Sequence, residues 1–72
     1  MKSSELLRKL KKVASNRGET LVITPAKGSH QKLYWGKDKQ AVVPLHNKEL
    51  KTGTLKSILK DLGINEKELY EN

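Results

Sequence analysis

The spacing of the apolar residues changes twice along this 72-residue chain, and those changes limit the folds open to it. Leu6, Leu7, Leu10, Val13 and Ala14 recur at i, i+1, i+4, i+7 and i+8, one stripe of a helix predicted over residues 4–14. Ser3 suits its N-cap, Glu5 suits the positive end of the helix dipole, and Lys9, Lys11 and Lys12 lie toward the negative end. Asn16-Arg17-Gly18 stops that helix. Residues 20–24 (TLVIT) are β-branched and short, and Pro25, which has no N–H for a ladder, ends the strand they predict.

Residues 31–35 alternate Leu33 and Trp35 with Lys32 and Tyr34, the period of a half-buried strand. Gly36-Lys37-Asp38-Lys39 supplies a polar turn, residues 41–43 return as a third strand, and Pro44 closes it. The helical period then resumes over residues 54–62 with Leu55, Ile58, Leu59 and Leu62, and Gly63 is placed as the C′ residue. Asn65 with Glu68 three residues on makes a capping-box variant for a last short turn carrying Leu69 and Tyr70. The expected class is α+β, ordered α-β-β-β-α plus a terminal turn. Its three antiparallel strands are covered by two helices on one face, so the other face stays wet. Tyr34 and Trp35 point to opposite faces, and one of them is available as a stacking platform for bases.

A chain this short buries only about 60% of the surface it exposes when unfolded, which leaves no room for a large cofactor cavity, and no cofactor is expected. Without cysteine there is no disulfide framework and no thiolate zinc site, and two histidines with scattered carboxylates do not compose a closed metal cage. No apolar run approaches the roughly 20 residues of a membrane span, and residues 1–10 lack the apolar stretch of a signal peptide, so a soluble, cytoplasmic, single-domain protein is expected.

The chain carries 15 Lys+Arg against 8 Asp+Glu, a formal charge of +7, so its partner should be a polyanion. Thirteen of the cations are lysines, point charges suited to phosphate, and two are arginines, the forked side chain that reads bases. Nucleic acid, an anionic membrane surface and an acidic protein all meet that electrostatic demand. A membrane role is disfavoured because no aromatic residue lies on the first helix, and DNA reading is disfavoured by the lack of an arginine-rich recognition helix.

Lys27-Gly28-Ser29-His30, between the first two strands, is the most pointed cluster. Gly28 permits close backbone approach, Ser29 offers a hydroxyl, and Lys27 and Lys32 bring charge to either side of His30. A histidine, with an ordinary pKa of about 6.5, suits proton transfer near neutral pH. The same four residues also suit a plain basic turn. His46 follows a strand end and reads either as a loop histidine or as a second acid/base group. Lys48, Lys51, Lys56 and Lys60 gather about the second helix, whose N-terminus near Thr52-Gly53-Thr54 offers free N–H groups to a phosphate. They read equally as a solvated lysine face.

Lys27-Gly28-Ser29-His30, then Val43-Pro44-Leu45-His46, Glu49-Leu50 and Gly53-Thr54-Leu55-Lys56-Ser57-Ile58-Leu59-Lys60 with Gly63-Ile64, resembles the HicA family of toxins in order and spacing. The opening Lys2-Ser3-Ser4-Glu5-Leu6-Leu7 extends the likeness over nearly the whole chain. Two features differ from the family pattern: residues 15–26 are longer and more polar than the usual link, and Thr52 stands where a proline commonly opens the second helix.

The resemblance implies an mRNA interferase of a type II toxin-antitoxin system, with a fold like the double-stranded RNA-binding domain and inhibition by an HicB-type antitoxin. It implies that His30 is the catalytic histidine, and it gives His46 no role beyond the fold. On that reading single-stranded mRNA is cut without metal and contacts Lys27, Gly28, Ser29, Lys32, Lys51 and Lys56. The alternative is a non-catalytic RNA-binding module that uses the same lysines as a phosphate clamp.

Overall fold

The computed structural model describes residues 1–26, 28, 30–44 and 49–70. Its elements run α1 (Ser3–Arg17), β1 (Leu21–Pro25), β2 (His30–Trp35), β3 (Lys39–Pro44), α2 (Thr52–Leu62) and α3 (Glu66–Tyr70), the order read from the sequence. The strands form one antiparallel sheet, β1-β2-β3, with Val22 opposite Tyr34, Thr24 opposite Lys32, Lys32 opposite Val42 and His30 opposite Pro44. Pro25 and Pro44 thus end the two outer strands, where a missing donor costs no interior ladder bond.

Both helices pack on the Leu33/Trp35 face. Leu6, Leu10 and Val13 of α1 and Leu55, Ile58, Leu59 and Leu62 of α2 join Leu33, Trp35, Ala41 and Val43 in one core, which Ile64 and Leu69 complete. Trp35, at 0% exposure, is the largest side chain in it. Apolar burial of this kind, at roughly 25 cal/mol per Å², supplies most of the driving force for so small a fold.

The helix ends differ from expectation in ways local chemistry explains. Ser3 is the first residue of α1 and not its cap: Lys2 holds the extended N-cap conformation, and the buried Ser3 Oγ has no hydrogen-bond partner among the described residues. The backbone of residues 1–2 is held instead by a bridge from Lys2 to Glu49 and by the Leu50 N–H donating to Met1 O at 2.9 Å. At the other end α1 continues to Arg17, a turn beyond the last apolar residue of its stripe, before Gly18 takes φ 68° and ends it. Gly63 ends α2 at φ 70°, the left-handed C′ conformation in which a Cβ is strained, and its N–H donates to Lys60 O at 3.1 Å. The Asn65 side chain accepts from Glu68 N–H at 2.8 Å, so the cap of α3 forms as the spacing implied.

A polar clamp closes the end of the fold opposite that bridge. Arg17 donates through Nε to Glu68 Oε2 at 2.6 Å and through its terminal nitrogens to Glu68 Oε1 and to Glu19, tying α1 to α3 and to the entry of β1. The guanidinium holds the Glu68 and Glu19 carboxyls below the usual carboxylate range, and the Glu68 contact holds the guanidinium pKa above its ordinary value. The Trp35 indole N–H helps keep Glu19 ionised from nearby, although among the described residues it makes no hydrogen bond of full geometry.

Because the folded-state pKa of Glu68 is depressed, its contribution is complete above the ordinary carboxylate value of about 4.5 and disappears as pH falls through the folded value. Glu68→Gln is therefore expected to be less stable than wild type at pH 7, with the gap closing progressively below about pH 4.5. Urea unfolding at a series of pH values measures this. A gap independent of pH would mean that the carboxylate charge has no part in the clamp.

Candidate nucleic-acid interface

Alternation along β2 sends Gln31, Leu33 and Trp35 to the core and His30, Lys32 and Tyr34 to the uncovered face. His30 opens the strand and is exposed, Lys32 is half-buried, and Tyr34 is exposed, with Lys32 Nζ 5.3 Å from its ring centroid. The sequence left open which of Tyr34 and Trp35 faces solvent. Trp35 is the core residue and Tyr34 the surface one.

At the β1–β2 end, His30 and the exposed Gly28 border a notch of about 380 Å³ whose walls are Ile23, Thr24, Pro25 and Ala26. Gly28 has φ 72°, so the chain turns here through a conformation that side chains other than glycine's rarely adopt. The Ala26 N–H donates to His30 O at 3.1 Å, which pins the backbone of the histidine to the end of β1. Lys27, Ser29 and His46 lie outside the described residues.

A second, larger hollow of about 580 Å³ runs between the outer edge of β3 and the length of α2, lined by Lys32, Gln40 and Val42 on the sheet and by Gly53, Thr54, Ser57 and Asp61 on the helix. Lys32 borders both this groove and the Tyr34 ring and so joins α2 to the β2 surface. Lys51 is exposed at the N-cap of α2, where its carbonyl accepts from Leu55 N–H at 2.9 Å. Lys56 is exposed on the helix but does not line the groove.

His30 and Gly28 therefore share the notch and Lys32 follows His30 on the same face of β2, whereas Lys51 and Lys56 belong to α2. The sequence reading missed Val22, Gln40, Val42 and the groove. Among the described residues no three His, Cys, Asp or Glu side chains gather as metal ligands, and no helix is long and apolar enough to cross a membrane.

The class defined here is a small basic α-β-β-β-α protein that exposes a histidine and a lysine along the central strand of a half-covered sheet. Residues 4–64 match the family model for the HicA toxin of bacterial toxin-antitoxin systems. The chain belongs to that family and is the toxin partner of a toxin-antitoxin pair. A search of curated proteins gave no match.

Proposed function

We propose that this toxin is an mRNA interferase: an endoribonuclease, one domain of the double-stranded RNA-binding type, that cuts single-stranded mRNA with the help of His30 and without a metal or cofactor. The observation that carries the reading is the exposed imidazole of His30, beside a notch turned by Gly28 and on the same strand face as Lys32, in a chain of the HicA toxin family.

Cleavage begins when the ribose 2′-oxygen attacks the adjacent phosphorus. As general base, neutral His30 takes the 2′-OH proton while the P–O5′ bond breaks. As general acid, protonated His30 gives its proton to the leaving 5′-oxygen. One imidazole cannot do both in a single step, so a second group or water completes the transfer. Lys32, with Lys27 and backbone N–H groups about Gly28, stabilises the charge that grows on the phosphate oxygens, and Ser29, Lys51 and Lys56 extend the contact with the strand. An HicB-type antitoxin silences the toxin by covering the His30 surface, neutralising the same positive field that draws RNA.

The test is incubation of a 5′-labelled single-stranded RNA with purified toxin in EDTA, beside a copy carrying one 2′-deoxy sugar at the cut site. The expected products end in 2′,3′-cyclic phosphate and 5′-OH, and the deoxy copy stays whole at that position. Cutting at the deoxy position would remove the 2′-oxygen from the mechanism. Binding should weaken with salt at a log–log slope of about −0.7 per phosphate contact. If the protein binds with that slope and never cuts, including on translated mRNA, the chain is a binding module.

A further inference from the structure

The uncovered face of the sheet carries an apolar patch among its polar side chains. Val22, Tyr34 and Val42 are 46%, 40% and 50% exposed, and the register sets Val22 directly opposite Tyr34 and Val42 directly opposite Lys32. The three form one patch that crosses all three strands. The other residues that alternate onto this face are Thr24, His30, Lys32, Gln40 and Pro44, and none of the eight is acidic.

We propose that this face is the track for the RNA strand, with one base stacked on the Tyr34 ring between Val22 and Val42, a phosphate drawn to Lys32, and the backbone continuing along β2 to His30. The proposal rests on the RNA reading above and adds to it the path that the substrate takes.

Three observations favour RNA as the occupant. First, His30, Lys32 and Tyr34 succeed one another along β2 at steps of about 7 Å, so a chain laid along the strand meets an imidazole, a charge and a ring in turn. Second, Lys32 lies against the Tyr34 ring, a pairing of cation and aromatic face that receives a base and its phosphate together. Third, the strand residues of the face carry no carboxylate on a chain of charge +7, which suits a polyanion, and the nearest acids, Asp38 in the β2–β3 turn and Asp61 across the groove on α2, stand at its margins. A second copy docked face to face would bring two Lys32 ammonium groups together. Stacking on Tyr34 would be tolerant of sequence, because every base has a π-face, so the track orients the strand and leaves the choice of cut site to contacts near His30.

The experiment compares wild type, Tyr34→Leu and Tyr34→Phe for binding of a fluorescein-labelled 2′-O-methyl oligoribonucleotide, which cannot be cut by 2′-oxygen attack, and of the same oligonucleotide with single abasic positions. Cleavage of ordinary RNA is measured in parallel. Tyr34→Leu is expected to bind about 5- to 150-fold more weakly, and Tyr34→Phe close to wild type. One abasic position should weaken wild type by a similar factor and weaken Tyr34→Leu little further.

The abasic arm needs no variant and so stands even if Tyr34→Leu is poorly folded. Equal affinity for all three proteins with cleavage intact would overturn the track and leave the nuclease reading in place. Loss of stacking together with no cleavage by wild type would uphold the track and remove the nuclease. Unchanged RNA binding with loss of self-association or of antitoxin binding in Tyr34→Leu would reassign the face to a protein partner.

Discussion

His30→Ala is expected to lower the rate of RNA cleavage by about 10²- to 10⁴-fold, the ordinary worth of a positioned acid or base, or roughly 3–5 kcal/mol of barrier. Affinity for uncut RNA should change by less than about threefold, because phosphate charge supplies most of it and the histidine is one contact of several. Single-turnover cleavage and anisotropy titration on the same preparations separate the two quantities. His30 is exposed at the start of β2, outside the core, so the variant should fold normally and its unfolding midpoint should match that of wild type. A variant that still cuts at the wild-type rate would take the histidine out of the chemistry. One that loses binding and cutting by the same factor would make His30 a contact and not an acid or base.

The second large effect is on stability. Trp35→Ala should cost about 3–5 kcal/mol, from the transfer term and from the cavity left where the largest core side chain stood. A fold of this length has only about 4–11 kcal/mol in total, so the variant should lose from about a quarter to all of its stability and unfold at a markedly lower urea concentration. Circular dichroism in urea reads this without the lost tryptophan signal. Trp35→Phe should be much milder, since it keeps a ring in the core and gives up only the indole N–H that faces Glu19. A wild-type-like midpoint for Trp35→Ala would mean that the core closes over the gap, which the packing of Leu33, Val43 and two helices around one face leaves little freedom to do.

Legibility in the sequence followed how cleanly each segment shows its period. β2 was read well because Lys32 and Tyr34 alternate with Leu33 and Trp35, so its faces could be assigned once the wet side was known. β1 was found but its faces were not, because Leu21, Val22 and Ile23 are all apolar and a continuous run carries no phase. Val22 is half-exposed for a reason visible only in the pairing: its partner, Tyr34, faces outward.

The Gly63 and Asn65 signals were legible because each relies on local backbone chemistry. Ser3 misled for the converse reason. Its type favours a cap, yet the bridge between Lys2 and Glu49 shifts the helix start by one residue, a long-range contact that a local reading cannot see. At the site, His30 and Gly28 emerged from a short motif. The groove between β3 and α2 did not, since Gln40 and Ser57 come together only through the fold.

The register of β2 ties the histidine to the core in a way that bears on how such a chain can change. Side chains on a strand alternate with period two, so a slip of one residue against β1 and β3 would turn Leu33 and Trp35 out to water and bury His30 and Lys32. The outward row of His30, Lys32 and Tyr34 and the inward row of Leu33 and Trp35 are then two readings of a single alignment, and a misaligned chain loses both. Insertions should not be tolerated in the tight Gly36–Asp38 turn that sets the alignment of β2 with β3.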